Sequence, residues 1–443
     1  MLFDTILRNA RIAGREHELV DIGVRDGRIA VVSPPSDQAT QDAARDIALD
    51  GRLVIPGFVE THIHLDKSCI LDRCTCHTGT LQEAIETVAA AKLTFTEEDI
   101  YARGRRTLEK AIVQGTTRIR AHVEVDPRIG LKGFRALSRL KRDYAWAVDI
   151  QVCVFPQEGL LNDPGCDELL VEACDGGADL IGGCPYTDSD PCGQIARIFD
   201  LGKRYDIDID FHLDFDLDPS WMHLDEVCRQ TAKFGKGGRV AIGHVTKLSA
   251  LDHAALELIG IKLANAGVAV TVLPATDLFL MGRGAEHSVP RGVTPAHRLL
   301  RQGVTCSLAT NNVLNPFTPL GDCSLLRMAN LYANIAQLGR PDELQACMDM
   351  VTFLPAKLMN LGDYGIAVGN PADIVVLDCV DPISAVSELA QPLLAMKRGR
   401  ISFSRPAAAI NWPVAPPSSV KDDVRVSSFA GEKPLARPLR RPL

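Results

Sequence analysis

This chain of 443 residues has no excess of basic over acidic residues, and it has few aromatic side chains. There are 48 Lys and Arg against 56 Asp and Glu, a net charge of −8 at pH 7, and Phe, Tyr and Trp together make up 5% of the chain. Nucleic-acid binding usually requires a basic excess, so we expect no nucleic-acid partner. With 46% hydrophobic and 23% charged residues, the composition is otherwise that of an ordinary globular protein.

Long apolar runs and a secretory signal are also missing. No run reaches the roughly 18 apolar residues that a membrane span requires, and the first residues, MLFDTILRNARIAGRE, lack the basic and apolar regions of a signal peptide. We therefore expect a cytoplasmic protein with no membrane contact. Its 13 cysteines form no paired C-x-x-C motif. Because cytoplasmic thiols stay reduced, we interpret most of them as small core residues.

The distribution of strand-like segments predicts one large domain and one small one. Residues 1–55 and 361–404 contain short alternating segments broken by Gly, Asn and Asp, which favour a small β domain assembled from both ends of the chain. Between them, residues 56–360 contain eight apolar strand-like runs separated by amphipathic stretches. Eight such units predict an α/β fold, a (β/α)8 barrel. Residues 405–443 are rich in Pro and Ser, and we expect them to form a tail.

Histidines lie at the ends of four predicted barrel strands, where the chemistry of such barrels is found. In GFVETHIHLDKS, His62 and His64 are two residues apart, so both imidazoles point to one face of the strand and can hold one divalent ion. An H-x-H pair alone is often just a hydrogen-bonded pair in a polar loop. His122, His212 and His244 end three further strands, however, and so many histidine-bearing strand ends are not expected by chance.

Acidic residues share the faces of two of these histidines. Glu124 and Asp126 follow His122 at a spacing of two, and the segment IDIDFHLDFD places four aspartates on the face of His212. A run of like charges facing a closed barrel is strongly unfavourable. Either a cation lies near the carboxyl end of this strand, or its first aspartates lie below the barrel.

Several longer motifs resemble the amidohydrolase superfamily, in particular its branch of cytosine deaminase and N-isopropylammelide amidohydrolase. The motifs span roughly residues 3–404, and they are PGFVETHIHLDK, HVEVD, DIQVCVFPQEGLL, DFHLD, GHV, NPFTPLGD and NLGDYGIAVGNPADIVVL. The H-x-H element marks only the superfamily, whereas the FPQEG and DYGIAVGN-PAD segments are specific to the branch. The resemblance implies a distorted, TIM-like (β/α)8 barrel with a small β-sandwich from both chain ends. It also implies a hydrolase of carbon–nitrogen bonds other than peptide bonds.

The resemblance further implies one divalent metal ion, Zn²⁺ or Fe²⁺, and a set of site residues. His62, His64 and His212 match the metal ligands of the family, and His244 matches the histidine that polarises the substrate. Gln157, in FPQEG, matches the side chain that reads the amide edge of a heterocycle. Binuclear members of the superfamily carry a carboxylated lysine on the fourth strand. The corresponding segment, DLIGGCPYTD, contains no lysine, so a single metal is expected.

Two positions depart from the family, and both replace a carboxylate that moves protons. The aspartate after the eighth strand, a metal ligand and base, is Asn311 here, and its uncharged amide is at most a weak fourth ligand. The glutamate three residues after the ligand histidine is Phe215 here. General acid–base help is typically worth about 10²–10⁴-fold in rate. The protons must therefore take another route, or the reaction must need less help.

Three interpretations fit these departures. In the first, a deaminase-like hydrolase of a small nitrogen heterocycle or N-alkyl amide has reassigned proton transfer. Asp214 is then the leading catalytic replacement, Glu124 and Asp126 are further candidates, and Phe215 is an apolar wall of the substrate site. In the second, the bond cleaved has a better leaving group, as in an N-alkylamino, carbamate or thiocarbamate compound. In the third, the chain is a non-catalytic member of the fold that binds a ligand or a partner. Both enzyme interpretations imply a small-molecule substrate, and homo-oligomer formation is left open.

Two further features are predicted near the site. Lys67 follows the H-x-H-L-D element, and we expect it to pair with Asp66 rather than to contact an anionic substrate group. The Gly-rich loop FLMGRGAEHSVPRGVTP follows the seventh strand. A long loop at this end of a barrel covers the pocket and governs substrate choice.

Overall fold

The strands form two sheets, one built from the middle of the chain and one from its two ends. The computed structural model describes residues 3–35, 43–408 and 410–411. Five strands come first in the chain, and they are β1 (Thr5–Ile12), β2 (Arg15–Arg25), β3 (Arg28–Ser33), β4 (Asp46–Ala48) and β5 (Leu53–Pro56). Eight strands follow, and they are β6 (Phe58–Ile63), β7 (Thr116–Glu124), β8 (Asp149–Phe155), β9 (Leu180–Gly183), β10 (Asp208–Leu213), β11 (Val240–His244), β12 (Val268–Val272) and β13 (Cys306–Leu308).

Strands β6 to β13 form the barrel. Each pairs in parallel with the next strand of the chain, in the order β6 through β13. The barrel closes where Ile63 forms a parallel bridge with Asn311, and the backbone amides of His64 and Asn311 donate across this seam at 2.9 and 2.8 Å. The eight strands fall on the eight apolar runs, so the predicted (β/α)8 barrel is confirmed.

Helices pack around the barrel, where most of them connect its successive strands and the last four follow β13. They are α1 (Leu81–Lys92), α2 (Glu97–Val113), α3 (Lys132–Asp143), α4 (Cys166–Asp175), α5 (Pro191–Arg204), α6 (Leu224–Phe234), α7 (His253–Ala266), α8 (Pro274–Leu280), α9 (Ala296–Arg301), α10 (Leu325–Ala336), α11 (Pro341–Asp349), α12 (Phe353–Leu358) and α13 (Pro382–Glu388). Side-chain oxygens cap several of them. Thr80, Thr96 and Asp252 each accept a bond from the backbone amide three residues on, a contact worth about 1 kcal/mol.

The second sheet joins the two ends of the chain. Strands β14 (Ile374–Leu377), β15 (Pro392–Lys397) and β16 (Arg400–Ser404) extend the first five strands into one mixed sheet. Strand β14 lies antiparallel to β5, so the sheet is continuous across the chain ends. A separate apolar core, including Leu7, Ile22 and Val54, supports it. The predicted small β domain is therefore confirmed as a mixed sheet from both termini.

The C-terminal tail and the exact domain boundaries cannot be compared with the strands and helices above. Most of the predicted tail, residues 412–443, lies beyond the described residues, and the exact domain boundaries stay predictions. No helix in the described ranges is both long and apolar enough to span a membrane. All 13 cysteines are free thiols, and the nine buried ones lie at positions 74, 153, 166, 174, 184, 228, 306, 323 and 347. Most of the thiols thus pack as core residues.

Candidate active site at the carboxyl end of the barrel

Three imidazoles meet at the carboxyl end of the barrel. His62 and His64 come from the end of β6, and His212 comes from the end of β10. The Nε2 atom of His212 lies 3.0 Å from Nε2 of His62 and 3.1 Å from Nε2 of His64. Gly243 on β11 leaves room for this packing, because a Cβ atom there would come within 3.2 Å of His62 Nδ1. The spacing of two along β6 thus directs both imidazoles to one point.

These three imidazoles suit a divalent cation. Two nitrogens bound to one tetrahedral ion at 2.0–2.1 Å lie about 3.4 Å apart, close to the observed separations. The Nδ1 atom of each ring is buried with no hydrogen-bond partner in the described part of the chain. Burial, together with nearby positive groups, lowers the pKa of each imidazole well below its usual value. The rings are therefore neutral, which is the form that binds metal.

Asn311 lies beside this triad on the closing seam of the barrel. Its backbone bonds to His62 and His64, and its φ of 61° places it in the left-handed region. The side chain is fully buried, and neither its oxygen nor its nitrogen has a partner among the described residues. A buried amide without partners is costly, so the position suits a side chain that binds an additional group.

His244 ends β11 and is held on two sides. Its Nδ1 atom lies 2.7 Å from Asp277 Oδ1, and its ring stacks on Phe215 with 3.7 Å between centroids. The ring centroid of His212 is 5.6 Å away, so His244 borders the triad. Sequence reasoning missed Asp277. It follows the seventh strand in the segment VLPATD, and an acidic residue just after a barrel strand end was the signal available.

Phe215 connects His244 to a cavity at the mouth of the barrel. The cavity has a volume of about 420 Å³, and its apolar lining includes Phe215, Leu81, Leu280 and Met281. The loop after the seventh strand contributes much of the wall, from Leu280 to Ala285 and again at Pro290. This loop therefore lines the cavity, and its part in substrate choice stays a prediction.

Gln157 and Lys67 lie together just beyond the carboxyl end of β8. The Lys67 ammonium donates to Gln157 Oε1 at 3.1 Å and to Glu124 Oε1 at 2.6 Å, and Gln157 Nε2 donates to Cys184 Sγ at 3.3 Å. Asp66 instead accepts the backbone amides of Lys67 and Glu124. The expected pairing of the Lys67 ammonium with Asp66 is therefore wrong. Lys67 also contributes to the lowered pKa of His64, so its charge faces the triad.

Asp214 does not share the face of His212. Strand β10 ends at Leu213, and Asp214 has a φ of 48°, which turns its side chain away from the strand direction. Its two oxygens accept the backbone amides of His223 and Leu224 at the start of α6. The expectation of a shared face is wrong because the strand stops one residue too early. A proton-transfer role for Asp214 stays a prediction, but its carboxylate is engaged in capping a helix.

Glu124 and Asp126 belong to a buried ion-pair cluster with Lys67, Lys92 and Glu158. The Lys92 ammonium donates to Glu124 at 2.8 Å, to Asp126 at 2.7 Å and to Glu158 at 2.6 Å. These three carboxylates have the spacing of a cation site, but a lysine already occupies the place of the cation.

The aspartates that precede His212 are balanced by side chains too. Arg120, inside the barrel, donates to Asp210 at 2.7 Å, and Arg239 donates to Asp208 at 2.6 Å. His122 stacks on His62 with 3.7 Å between centroids, and Asp210 Oδ1 lies 3.6 Å from its Nε2. The negative charges of Asp208 and Asp210 are therefore balanced by the two arginines.

The fold and the site define a class of closed α/β barrel with a buried cluster of three histidines at its carboxyl end, spaced so that it could hold a metal ion. A family profile described as "Amidohydrolase family" matches residues 150–403. The chain is 31% identical to the structure of 5-methylcytosine deaminase from Klebsiella pneumoniae liganded with 5-fluorocytosine, with a TM-score of 0.88, covering 92% of this chain and 99% of that one. It is 28% identical over 409 residues to N-isopropylammelide isopropyl amidohydrolase of Pseudomonas sp. (strain ADP), covering 90% and 97% of the two chains.

Another relative is the pterin deaminase of Rhizobium rhizogenes, 26% identical over 385 residues and covering 86% and 87% of the two chains. The chain belongs to the amidohydrolase family, and the resemblance to its cytosine-deaminase-like branch is confirmed. It is a hydrolase of carbon–nitrogen bonds other than peptide bonds.

Proposed function

We propose that this enzyme hydrolyses a carbon–nitrogen bond of a small nitrogen heterocycle, with one divalent metal ion, and releases ammonia or an amine. The observation that carries the proposal is the convergence of three neutral imidazoles, with His212 Nε2 lying 3.0 and 3.1 Å from the Nε2 atoms of His62 and His64. The Asn311 amide beside them has no partner among the described residues. The relatives named above support it, since their names describe action on pyrimidine, pterin and triazine rings.

His62, His64 and His212 would hold the metal, zinc or ferrous iron, with Asn311 as a weak fourth ligand. A bound ion supplies a Lewis acid that lowers the pKa of a water molecule toward 7. The protein must then orient the substrate and move protons. His244 borders the triad with Nδ1 engaged by Asp277, so Nε2 is the nitrogen left to polarise the substrate or orient the water.

Gln157 and Lys67 would recognise the ring. Gln157 presents an amide that matches the amide edge of a pyrimidine or triazine. The Lys67 ammonium is buried beside it and favours a substrate with a carbonyl oxygen or partial negative charge on that edge. Because Glu124 fixes this ammonium at 2.6 Å, its position is set before a substrate binds.

A second candidate, cleavage of a substrate with an N-alkyl, carbamate or thiocarbamate group, is favoured by the cavity at Phe215. Its volume of about 420 Å³ and its lining by Leu81, Leu280 and Met281 suit an apolar substituent. Phe215 would then form the wall between this substituent and His244.

The test combines metal analysis with a substrate panel. Purified protein is expected to hold about one equivalent of zinc or iron, the single ion of a three-histidine site. The panel contains cytosine, 5-methylcytosine, pterin and N-isopropylammelide, and the readout is the release of ammonia or isopropylamine. His212→Asn should lose the metal and the turnover, whereas His253→Asn, at an exposed helix terminus, should keep both.

Each outcome favours one interpretation. Ammonia release supports deamination, and preferential release of isopropylamine supports the N-alkyl candidate. A protein that takes up no metal even after supplementation, and turns over nothing, overturns the proposal in favour of a ligand-binding member of the fold.

A further inference from the structure

We propose that Asp277 positions His244 for proton transfer and thereby supplies the carboxylate that Asn311 and Phe215 do not provide. The inference deepens the proposed function and rests on it. Asp277 is a positioning residue in this account, since it acts through His244 and not on the reacting atoms.

The Asp277 carboxylate is fixed at both oxygens. Oδ1 lies 2.7 Å from His244 Nδ1, and Oδ2 accepts the backbone amide of Leu273 at 3.2 Å. Asp277 is fully buried and His244 is 2% exposed, so water does not compete for this contact. A short contact between buried groups at this distance is a strong hydrogen bond.

A carboxylate at Nδ1 determines where the imidazole carries its proton. An ionised carboxylate only accepts, so it holds the hydrogen on Nδ1 and leaves Nε2 with a free lone pair. The same logic governs the histidine of serine hydrolases, where exchange of the partner Asp for Asn costs about 10⁴-fold in kcat because the wrong tautomer forms. His244 is thus prepared to accept a proton at Nε2.

The orientation of the His244 ring is fixed by more than one contact. Phe215 stacks on one side at 3.7 Å between centroids. His244 and Val245 both have positive φ values, 68° and 44°. The Thr294 hydroxyl lies within hydrogen-bond distance of both of their carbonyl oxygens, at 3.0 and 2.8 Å, and shares its one hydrogen between them. Two consecutive non-glycine residues in the left-handed region are strained, and such strain persists where the surrounding structure holds a functional group in place.

These contacts give the two departures from the family a common explanation. Phe215 replaces a glutamate but packs against His244, and Asn311 replaces an aspartate but keeps its place on the seam. His244 then handles the proton, and Asp277 is the carboxylate that positions it. Asp214 and Glu124 are already engaged with a helix start and with two lysines, so neither is free for this task.

The test uses Asp277→Asn in the full-length protein. An asparagine amide donates to Nδ1, so the His244 proton should move to Nε2. With the panel compound that turns over fastest, kcat is expected to fall by about 10²–10⁴-fold, with KM and metal content nearly unchanged. Asp381→Asn, the cap of α13, is the matched control and should leave kcat unchanged.

A second readout does not depend on turnover. Nitrogen-15 NMR of histidine-labelled protein reports the tautomer of His244 in metal-free and zinc-loaded samples, with His244→Gln for assignment. The wild-type ring should carry its proton on Nδ1, and the Asp277→Asn ring on Nε2.

Several results would overturn the inference. These are an Nε2-protonated ring in the wild type, normal kcat in Asp277→Asn, or a loss of activity with an unchanged tautomer. If no panel compound is turned over, the proposed function fails, but the NMR experiment still decides whether Asp277 sets the tautomer.

Discussion

Two buried polar clusters lie at the same end of the barrel, and they differ in how their charges and hydrogen bonds are met. In the ion-pair cluster of Lys67, Lys92, Glu124, Asp126 and Glu158, each ammonium contacts at least one carboxylate within 2.8 Å. In the histidine cluster of His62, His64, His122, His212 and Asn311, every side chain has at least one buried atom with no partner in the part of the chain that the structure describes.

This difference distinguishes buried polar groups that are balanced within the protein from buried polar groups that are available to a ligand. Native proteins satisfy nearly all buried polar groups, because each unsatisfied group costs about 1–3 kcal/mol. The ion-pair cluster follows this rule, because its carboxylates balance the two buried ammonium groups. The histidine cluster departs from it, as a site does when it is built for a ligand. The predictions below test this contrast, from the largest expected effect to the smallest.

Lys92→Met should break the ion-pair cluster. Glu124, Asp126 and Glu158 would lose the lysine that they share, and removal of one partner from a buried pair typically costs about 3–5 kcal/mol. The free energy of unfolding, measured in urea, is expected to fall by this amount. Lys262→Met is the control, since Lys262 pairs with Asp225 at the surface and such pairs are worth about 0–1 kcal/mol. If both variants lost the same free energy of unfolding, the buried ion-pair cluster would be no more important for stability than a surface pair.

Acid should also weaken the ion-pair cluster. Burial raises the pKa of Glu124, but the ammonium groups of Lys67 and Lys92 outweigh it and lower the pKa to about 2. Because the unfolded value is near 4.5, this carboxylate stabilises the fold above pH 4.5 and ceases to do so as the pH falls toward 2. Protonation of Glu124 should therefore lower the free energy of unfolding by about 3 kcal/mol, at about 1.4 kcal/mol for each pKa unit. Unfolding of Glu124→Gln should be less sensitive to pH over this range, and an unchanged pH dependence would refute the assignment.

Metal should stabilise the histidine cluster instead. A ligand that binds only the folded state at 100 times its Kd adds about 2.7 kcal/mol, so zinc should raise the Tm of the metal-free protein. His212→Asn should abolish this rise, and His253→Asn should retain it. A zinc-dependent rise that survives in His212→Asn would place the metal elsewhere.

Asn311→Asp should produce the smallest change. A charged oxygen on the seam should bind zinc more tightly than the amide does, and a tenfold gain corresponds to about 1.4 kcal/mol. Competition with a chromophoric chelator measures the affinity. Asn312→Asp is the control, because the Asn312 oxygen already accepts from Asn315. An unchanged zinc affinity in Asn311→Asp would show that this side chain lies away from the metal.

Much of the barrel was readable from the sequence, because parallel buried strands leave long apolar runs. The meeting of His62 with His64 follows from the two-residue period of β6. The positions of Asp214 and Lys67 were not readable in the same way. Asp214 depends on where β10 stops and on a left-handed backbone turn, and Lys67 depends on a glutamate 57 positions along the chain. Asp277 was missed because its contact with His244 joins separate strand ends, which no local pattern records.

The bridge between Ile63 and Asn311 links folding of the barrel to alignment of the histidines. The three histidines are complete in the chain once residue 212 has been made, but the bond pair that aligns His62 and His64 requires residue 311. A growing or partly folded chain therefore contains the imidazoles without their alignment. Closure of the barrel and alignment of the candidate metal ligands are therefore expected to occur together.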